Sequence, residues 1–372
     1  MNIVILPDSF KGSIDSKDIG EYLTALFSAS LPNATVRAFP VSDGGEGFLD
    51  MVEATNGGHR ISFPIFNATM SKNIDGVLLL KDDQAYIESA VACGHHQIED
   101  GANALNSSSF ALGQCINKSI ECGAKRISIG LGGVITHDLG CGALACLGAH
   151  FYDKENIEFI PNGGSLIRVY SIRFPKLKDD VIFTIYSDVK NVLFGPRGAA
   201  HVFAKQKGVS DRNIDILEQG SIHIADLFSR ILKRDFSNVP GSGAAGGLGF
   251  MAAGCLNAQI LSGADFAISS PTVSKALLEA DIIVTGEGRI DDQSHDGKIV
   301  GCLSDFSLRH SKRLIAIGGC IEKHPEAILP GVSDFVDLSK LEGSDYSMAH
   351  PKEALSRALR PLLDNLAGDG SH

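Results

Sequence analysis

Apolar runs and amphipathic stretches alternate at the start of the chain. The run NIVIL, residues 2–6, has the length of a buried strand, and Ile19, Leu23 and Phe27 then recur at helical spacing. A second run, TVRAFPV, follows at residues 35–41. A strand, a helix and a strand in this order predict parallel strands joined by a helical crossover.

The pattern changes in the next segment and then returns. The runs RISFPIF, GVLLL and AYIES stand close together between polar turns such as KDDQ, which is typical of antiparallel strands. After about residue 106 the alternation of helices and strands resumes, with strands predicted at RISIGL, VIFTI, DIIVTG, RLIAIGG and DFVDLS. The sequence therefore predicts an α/β protein with both parallel and antiparallel strand pairs.

The length of 372 residues favours two domains. We predict a discontinuous Rossmann-like parallel-sheet domain made of residues 1–60, 101–148 and 256–372. An inserted mixed α/β domain is predicted for residues 61–100 and 149–255. We expect a ligand-binding cleft between the two domains.

Composition and charge limit the classes of partner that the protein is expected to bind. Its net charge of −11 would repel a phosphodiester backbone, so we expect no nucleic-acid partner. The most apolar region is rich in Gly and Ala and contains Asn257 and Gln259, so we expect no membrane span. The eight cysteines form no C-x-x-C pair, which favours reduced thiols in a cytoplasmic protein. We expect small-molecule substrates and a monomer or homodimer.

Polar clusters follow the first two predicted strands, where open parallel sheets bind their ligands. LPDSFKGS places Asp8, Ser9 and Lys11 directly after the first strand, and SDGGEG places Asp43 and Glu46 after the second. The ammonium group can reach a carboxylate or a phosphate, and a carboxylate can orient a hydroxyl or bind a metal. A surface lysine and a helix cap are the alternative interpretations.

Two glycine-rich loops also follow predicted strands. GLGGVITHDLGCG, residues 130–142, leaves backbone amides uncovered and can hold an anion. PGSGAAGGLG, residues 240–249, enters a predicted helix but lacks the lysine of a Walker loop. These loops predict phosphate binding, with close packing of helices as the alternative for the second.

Carboxylates follow two later strands. Asp188 in YSDVKN can accept a proton from an attacking hydroxyl or hold Mg²⁺, and a turn aspartate is the alternative. TGEGRIDDQS is the densest charged cluster, with Glu287, Arg289 and Asp291 among its members. So many charges at the end of a parallel strand indicate ligand or metal binding, with a salt-bridged loop as the alternative.

Six motifs in this order resemble the bacterial glycerate kinase family: PDSFKGS, SDGGEG, GLGG…T-x-D…G-x-G, DV-x-N-x-L-x-GP-x-GAA-x-VF, PG-x-GAAGGLG and TGEGRID-x-Q…GK. The resemblance is to the branch described as forming 2-phosphoglycerate, and it runs from Met1 to about Leu366. It implies a two-domain α/β architecture and transfer of a phosphoryl group from ATP to glycerate with Mg²⁺.

The resemblance also implies roles for the residues in these motifs. Asp188 is the first choice for the catalytic base and Asp43 the second, while Lys11 and Arg289 hold anionic oxygens. The residues expected to bind glycerate are Asp8, Ser9, Lys11, Asp43, Glu46 and Arg289. Those expected to bind ATP are Gly132, Gly133, Thr136, Asp138, Gly241, Gly243, Gly246 and Gly247. The candidate metal ligands are Asp188, Glu287 and Asp291.

Two loops depart from the family pattern. Val134, His137 and Leu139 stand where the third motif usually has Ser, Asn and Gly, and Ala111 and Leu112 replace small or hydroxyl residues in an earlier loop. Three alternatives therefore stay open. The chain could bind a small hydroxy acid or nucleotide with altered specificity or without catalysis, or it could phosphorylate the 3-hydroxyl. Parallel-sheet topology alone also suggests a nicotinamide-dependent oxidoreductase, but the glycine fingerprint of that class is missing.

Overall fold

The computed structural model describes residues 1–10, 12–174, 180–292, 294–295, 297–322 and 324–369. The chain divides into two compact units. Unit 1 comprises Met1–Asp43, Asp50–Gly57 and Ser262–His372, and unit 2 comprises Gly44–Leu49 and Gly58–Leu261.

The described residues form strands and helices throughout both units. The strands are β1 (Asn2–Pro7), β2 (Thr35–Ala38), β3 (His59–Phe66), β4 (Asn73–Lys81), β5 (Gln84–Glu88), β6 (Arg126–Gly130), β7 (His150–Tyr152), β8 (Ser171–Arg173), β9 (Ile182–Tyr186), β10 (Gln259–Leu261), β11 (Ile282–Ile290), β12 (Arg313–Ile321) and β13 (Asp334–Asp337). The α-helices are α1 (Ser16–Ser30), α2 (Phe48–Asn56), α3 (Ser89–Cys93), α4 (Phe110–Glu121), α5 (Cys141–Cys146), α6 (Ala199–Phe203), α7 (Asp211–Leu232), α8 (Ala244–Cys255), α9 (Gly263–Ser269), α10 (Pro271–Glu279), α11 (Ile299–His310), α12 (Pro325–Ile328), α13 (Ser339–Glu342), α14 (Ser344–Ala349) and α15 (Pro351–Asp369). Short 3₁₀ helices cover His95–Asp100, Gly163–Arg168 and Lys205–Lys207.

Unit 1 contains a five-stranded sheet in the order β13-β12-β11-β1-β2. Every adjacent pair in it is parallel, and Ile3 of β1 lies opposite both Ile282 of β11 and Val36 of β2. Because these strands run parallel, the carboxyl ends of β1, β11 and β12 lie at one edge of the sheet. The predicted parallel crossover between the first two strands is confirmed.

Helix α1 shows why this part of the chain folds as its pattern predicts. The side chain of Asp15 caps the helix by accepting a hydrogen bond of 2.7 Å from the backbone N–H of Asp18. Ile19, Leu23 and Phe27 are fully buried and belong to the core of unit 1. The apolar face predicted from their spacing is therefore the face that packs.

Unit 2 contains a six-stranded mixed sheet in the order β10-β9-β6-β5-β4-β3. Strands β3, β4 and β5 pair antiparallel, which confirms the prediction for RISFPIF, GVLLL and AYIES. Strands β5, β6, β9 and β10 pair parallel. A separate antiparallel pair joins β7 and β8.

The division into units differs from the one expected from sequence. Residues 101–148 were assigned to the Rossmann-like domain, but β6 lies between β5 and β9 in the sheet of unit 2. Residues 44–49, 58–60 and 256–261, which were also assigned to the Rossmann-like domain, belong to unit 2 as well. A helix, a strand and a helix have the same local pattern in either sheet, so the pattern alone did not identify the partners of β6.

Two further expectations concern membrane spans and cysteine pairing. No helix in the described ranges is both long and apolar enough to cross a bilayer. All eight cysteines are free thiols, with Cys93, Cys115 and Cys141 buried. The expectation of unpaired thiols is confirmed.

Candidate active site

A cavity of about 360 Å³ lies in unit 1, beside the ends of β1 and β11 and the adjoining loops. It is lined by Asp8, Ser9, Phe10, Ser13, Asp43, Glu287, Gly288, Arg289, Lys298, Gly319, Cys320, Leu338, Ser344, Ser347 and Met348. We call it the unit 1 cavity. It brings together five predicted site residues from three distant motifs, which are Asp8, Ser9, Asp43, Glu287 and Arg289. Lys11 lies outside the described residues.

The loop after β1 is tied to the neighbouring strand. The backbone N–H of Asp8 donates to the carbonyl oxygen of Gly286 in β11 over 2.8 Å. The Asp8 carboxylate accepts from the backbone N–H of Ser9 over 2.7 Å, and the Ser9 hydroxyl lies 3.4 Å from the same oxygen. Asp8 and Ser9 are thereby held at the wall of the cavity, half-buried, as is Asp43.

Glu287 and Lys298 form the most buried ion pair of the cavity. The Nζ atom of Lys298 lies 2.6 Å from Oε2 of Glu287, whose residue is only 4% exposed. Oε1 of Glu287 is buried and has no hydrogen-bond partner among the described residues. Burial raises the pKa of Glu287, and the ammonium group of Lys298 opposes this shift.

Lys298 was missed by the sequence-based site prediction. It stands at the N-cap of α11, directly before Ile299. The available signal was the Gly-Lys pair that follows the TGEGRIDDQS cluster. Its position within reach of Glu287 depends on how the chain returns between β11 and α11.

Arg289 also lines the cavity, but its guanidinium group is already paired with two carboxylates. Its guanidinium group is hydrogen-bonded to Glu322, and its Nε lies 3.4 Å from the carboxylate of Asp291. Its side chain is 64% exposed. A bidentate contact of Arg289 with a substrate carboxylate would therefore have to displace Glu322.

The cavity can be compared with the needs of Mg²⁺. In the described part of the chain no group of three or more His, Cys, Asp or Glu side chains is arranged to hold a metal. Enzymes of phosphoryl transfer commonly hold Mg²⁺ by one or two carboxylates together with water and substrate phosphates. The Oε1 atom of Glu287, which has no hydrogen-bond partner among the described residues, could serve as one such carboxylate ligand.

The predicted loop at residues 130–142 lies in unit 2 and is organised by Asp138. This carboxylate has no exposed surface and accepts five hydrogen bonds. The donors are the backbone and hydroxyl of Ser109, the hydroxyl of Ser108, and the backbone N–H groups of Gly140 and Gly142. Burial raises the pKa of Asp138, and hydrogen bonds from Ser109, Gly142 and Gly140 oppose the shift. The side chain thus fixes the loop, and its contact with ATP stays a prediction.

The two glycine-rich loops of unit 2 pack against each other. A Cβ atom at Gly246, whose φ is +66°, would lie 2.1 Å from the carbonyl oxygen of Thr136. A Cβ atom at Gly247 would lie 2.7 Å from the side chain of Leu139. At Gly243 it would lie 2.3 Å from the carbonyl oxygen of Val192. Close packing explains these glycines, and their binding of phosphate stays a prediction.

The remaining glycines separate into two environments. A Cβ atom at Gly132 would lie 2.6 Å from the Cα atom of Gly45, and one at Gly133 would lie 3.3 Å from the exposed side chain of Glu46. Gly45 and Glu46 therefore lie against the 130–142 loop within unit 2. Gly241, with φ of +85°, packs near Ile260 instead.

Asp188 follows the carboxyl end of β9, between two parallel neighbours in the sheet of unit 2. It is half-buried. The preceding residue, Ser187, donates its backbone N–H to the carbonyl oxygen of Leu261 over 2.9 Å. This placement suits a ligand-binding carboxylate, and the role of Asp188 as base stays a prediction.

The positions that depart from the family pattern are all buried. Ala111, Leu112, Val134 and Leu139 belong to the hydrophobic core of unit 2 and are at most 1% exposed. His137 is fully buried, and its Nε2 lies 3.0 Å from the hydroxyl of Ser221. Burial lowers the pKa of His137 to about 3, so the ring is neutral at physiological pH. These five side chains therefore pack in the interior of unit 2.

Comparison with known proteins gives a consistent result over nearly the whole chain. A model of the glycerate kinase family matches residues 3–366. A glycerate kinase of Bacillus subtilis strain 168 is 34% identical over 98% of this chain and 98% of its own. A glycerate 2-kinase of Escherichia coli K12 is also 34% identical, over 98% of this chain and 95% of its own.

A solved structure supports the same relationship. A crystal structure of a Salmonella typhimurium LT2 protein, described as a glycerate kinase 2, aligns with a TM-score of 0.78 at 27% identity. The alignment covers 99% of this chain and 98% of the other. The predicted α/β fold class is confirmed.

Proposed function

Because the chain belongs to the glycerate kinase family and is therefore a phosphotransferase acting on glycerate, we propose that it transfers the γ-phosphoryl group of ATP to the 2-hydroxyl of D-glycerate. The product is then 2-phosphoglycerate. The name of the Escherichia coli relative supports this choice of hydroxyl. The observation that carries the proposal is the unit 1 cavity, where carboxylates and cations from separate motifs line one space.

The chemistry of the reaction fits this lining. Phosphoryl transfer depends on positioning and on neutralising the charge of the phosphate oxygens. Asp8, Ser9 and Asp43 can hydrogen-bond the hydroxyl groups of glycerate, and Arg289 can pair with its carboxylate after leaving Glu322. Lys11 and Glu46 complete the proposed set that binds glycerate.

Magnesium is part of the proposal. Glu287 would hold the ion through its unpartnered oxygen, with Asp291 and Asp188 as further candidate ligands. When bound, Mg²⁺ neutralises negative charge on the phosphate groups. The ammonium group of Lys298 favours the charged form of Glu287 by opposing the rise in pKa that burial causes.

Proton removal from the acceptor hydroxyl requires a base. Asp188 is our first choice because it is a half-buried carboxylate at the carboxyl end of a parallel strand. Asp43, which lines the unit 1 cavity, is the second choice. The backbones of the two glycine-rich loops, with Thr136 and Asp138, are also proposed to bind ATP.

We place the reaction in the cytoplasm. All eight cysteines are free thiols, which is typical of proteins in a reducing compartment.

Proton-coupled phosphorus NMR of the product tests the proposal. After incubation with Mg²⁺-ATP and D-glycerate, a phosphate on C2 couples to one carbon-bound proton and gives a doublet. A phosphate on C3 couples to two protons and gives a triplet. A triplet would contradict the proposed position. If ADP does not form with D-glycerate but does form with another small hydroxy acid, the proposed substrate is wrong.

A further inference from the structure

We propose that Lys298 binds an oxygen of the nucleotide phosphate chain in the unit 1 cavity. This inference rests on the kinase reaction proposed above and assigns it a residue.

Lys298 is placed between a buried carboxylate and an accessible space. Its Nζ atom lies 2.6 Å from Glu287, yet its side chain is 33% exposed and lines the cavity. An ammonium group has three N–H donors, and Glu287 is its only hydrogen-bond acceptor among the described residues. Two donors are therefore available to a ligand.

The Glu287–Lys298 pair is also incomplete as a structural ion pair. A buried pair is stabilising only when its remaining lone pairs and protons are satisfied. Oε1 of Glu287 is buried without a hydrogen-bond partner in the described part of the chain. A ligand in the cavity that brings a cation to Glu287 and an anionic oxygen to Lys298 would satisfy both. A phosphate chain carrying a divalent ion has this chemistry.

The helix that follows adds to the same charge. Lys298 is the N-cap of α11, and the first turn of this helix has no acidic side chain. The side chain of Lys298 makes no capping hydrogen bond to the first backbone N–H groups of the helix. The N-terminus of a helix favours an anion, so the local field reinforces that of the ammonium group.

The other cation of the cavity is less suited to this task. Arg289 is already paired with Glu322 and Asp291 and is mostly exposed. Lys298 is the more buried of the two, and a desolvated cation interacts more strongly with an anion.

The test is a double-mutant cycle on ADP affinity, measured by isothermal titration calorimetry with magnesium chloride present. The proteins are wild type, Lys298→Met, Glu287→Gln and the double variant. If Lys298 contacts phosphate, its replacement weakens ADP binding about tenfold to a hundredfold in both backgrounds. If it only neutralises Glu287, its replacement has no effect once Glu287 is Gln, and the proposal is overturned.

The double variant also controls for misfolding. Lys298→Met alone leaves the Glu287 carboxylate buried without its ion-pair partner, whereas the double variant has no such carboxylate. Lys275→Met is the matched control: Lys275 lies in the same unit, 3.9 Å from Glu279, outside the cavity lining. Its ADP affinity should equal that of wild type. Turnover of glycerate by wild type is measured separately. A wild-type protein that fails to phosphorylate glycerate, while Lys298→Met still loses ADP affinity in both backgrounds, contradicts the kinase reaction and leaves the role of Lys298 supported.

Discussion

The ammonium group of Lys207 donates a hydrogen bond of 2.8 Å to the backbone carbonyl oxygen of Thr136 in the interior of unit 2. Lys207 is 3% exposed and Thr136 is fully buried. Burial lowers the pKa of Lys207 to about 8, and the nearby Cys93 and Asp138 oppose that shift. The contact holds the 130–142 loop in place, at the expense of taking a charge out of water.

Because the pKa of Lys207 is lowered in the folded protein, we expect the stability of the protein to depend on pH. The pKa is about 8 in the folded protein and 10.5 ordinarily, so between these values the unfolded chain binds the extra proton. Raising the pH through this window therefore increases the free energy of unfolding. Relative to Lys207→Met, the free energy of unfolding of wild type should rise by about 2–3 kcal/mol between about pH 7 and about pH 10.

Chemical denaturation of both proteins at several pH values measures this difference. Other titrating groups are common to the two chains, so their contributions largely cancel. A difference that stays constant over the window would show that Lys207 keeps its ordinary pKa in the folded protein.

We also expect replacement of Gly246 by alanine to destabilise the protein. Its φ is +66°, and a Cβ atom would lie 2.1 Å from the carbonyl oxygen of Thr136, which cannot move without shifting the neighbouring loop. Gly246→Ala should lower the free energy of unfolding by about 3 kcal/mol, from left-handed backbone strain together with overpacking. Thermal or chemical denaturation measures it.

Gly101 provides the matched control for Gly246. Its φ is +81°, but a Cβ atom there would have no neighbour within 4 Å. Gly101→Ala should therefore cost about 1 kcal/mol, from backbone strain alone. Equal losses in the two variants would mean that the close approach of the loops is not maintained in solution.

Local patterns predicted the elements of this fold but not their assembly. The helical spacing of Ile19, Leu23 and Phe27 was sufficient to predict α1, and the short runs between polar turns predicted the antiparallel strands. Residues 101–148, which contain β6, were assigned to the Rossmann-like domain, but β6 lies in the sheet of unit 2, because strand pairing is decided by contacts distant in sequence. The same limit applies to Lys298, whose approach to Glu287 depends on the path of the chain between β11 and α11.

Glycine-rich sequence also has more than one structural meaning. Gly246 and Gly247 were predicted to serve phosphates, and the structure places backbone and Leu139 where their side chains would be. Leu139 itself adopts φ of +55°, a conformation that favours glycine, at a position where the family usually has glycine. The sequence revealed the substitution, but only the structure shows that Gly247 leaves room for the leucine side chain.

We expect the substitution Asp138→Asn to lower the free energy of unfolding. One of its oxygens accepts from Ser109, Ser108 and Gly142, and the other accepts from Gly140. In Asp138→Asn, the amide N–H₂ must face at least one of these donors. The free energy of unfolding should fall by about 2 kcal/mol or more, as measured by chemical denaturation.

The exposed Asp226 on α7 serves as the control for Asp138. Asp226→Asn should change the free energy of unfolding by no more than about 0.5 kcal/mol. If Asp138→Asn is as stable as this control, the carboxylate does not organise the loop.

Asp188 and Asp43 are the two candidates for the catalytic base. A carboxylate that removes the hydroxyl proton contributes to the chemical step and little to ground-state binding. Asp188→Asn should therefore slow single-turnover phosphotransfer by about a hundredfold to ten-thousandfold while leaving ADP affinity nearly unchanged. Asp43→Asn should have the smaller effect on the rate and should weaken glycerate binding, because Asp43 lines the unit 1 cavity.

Rapid-quench measurement of both variants decides between them. A near-normal rate for Asp188→Asn with an inactive Asp43→Asn would show that Asp43 is the base. Asp226→Asn, on the exposed face of α7, should retain the wild-type rate.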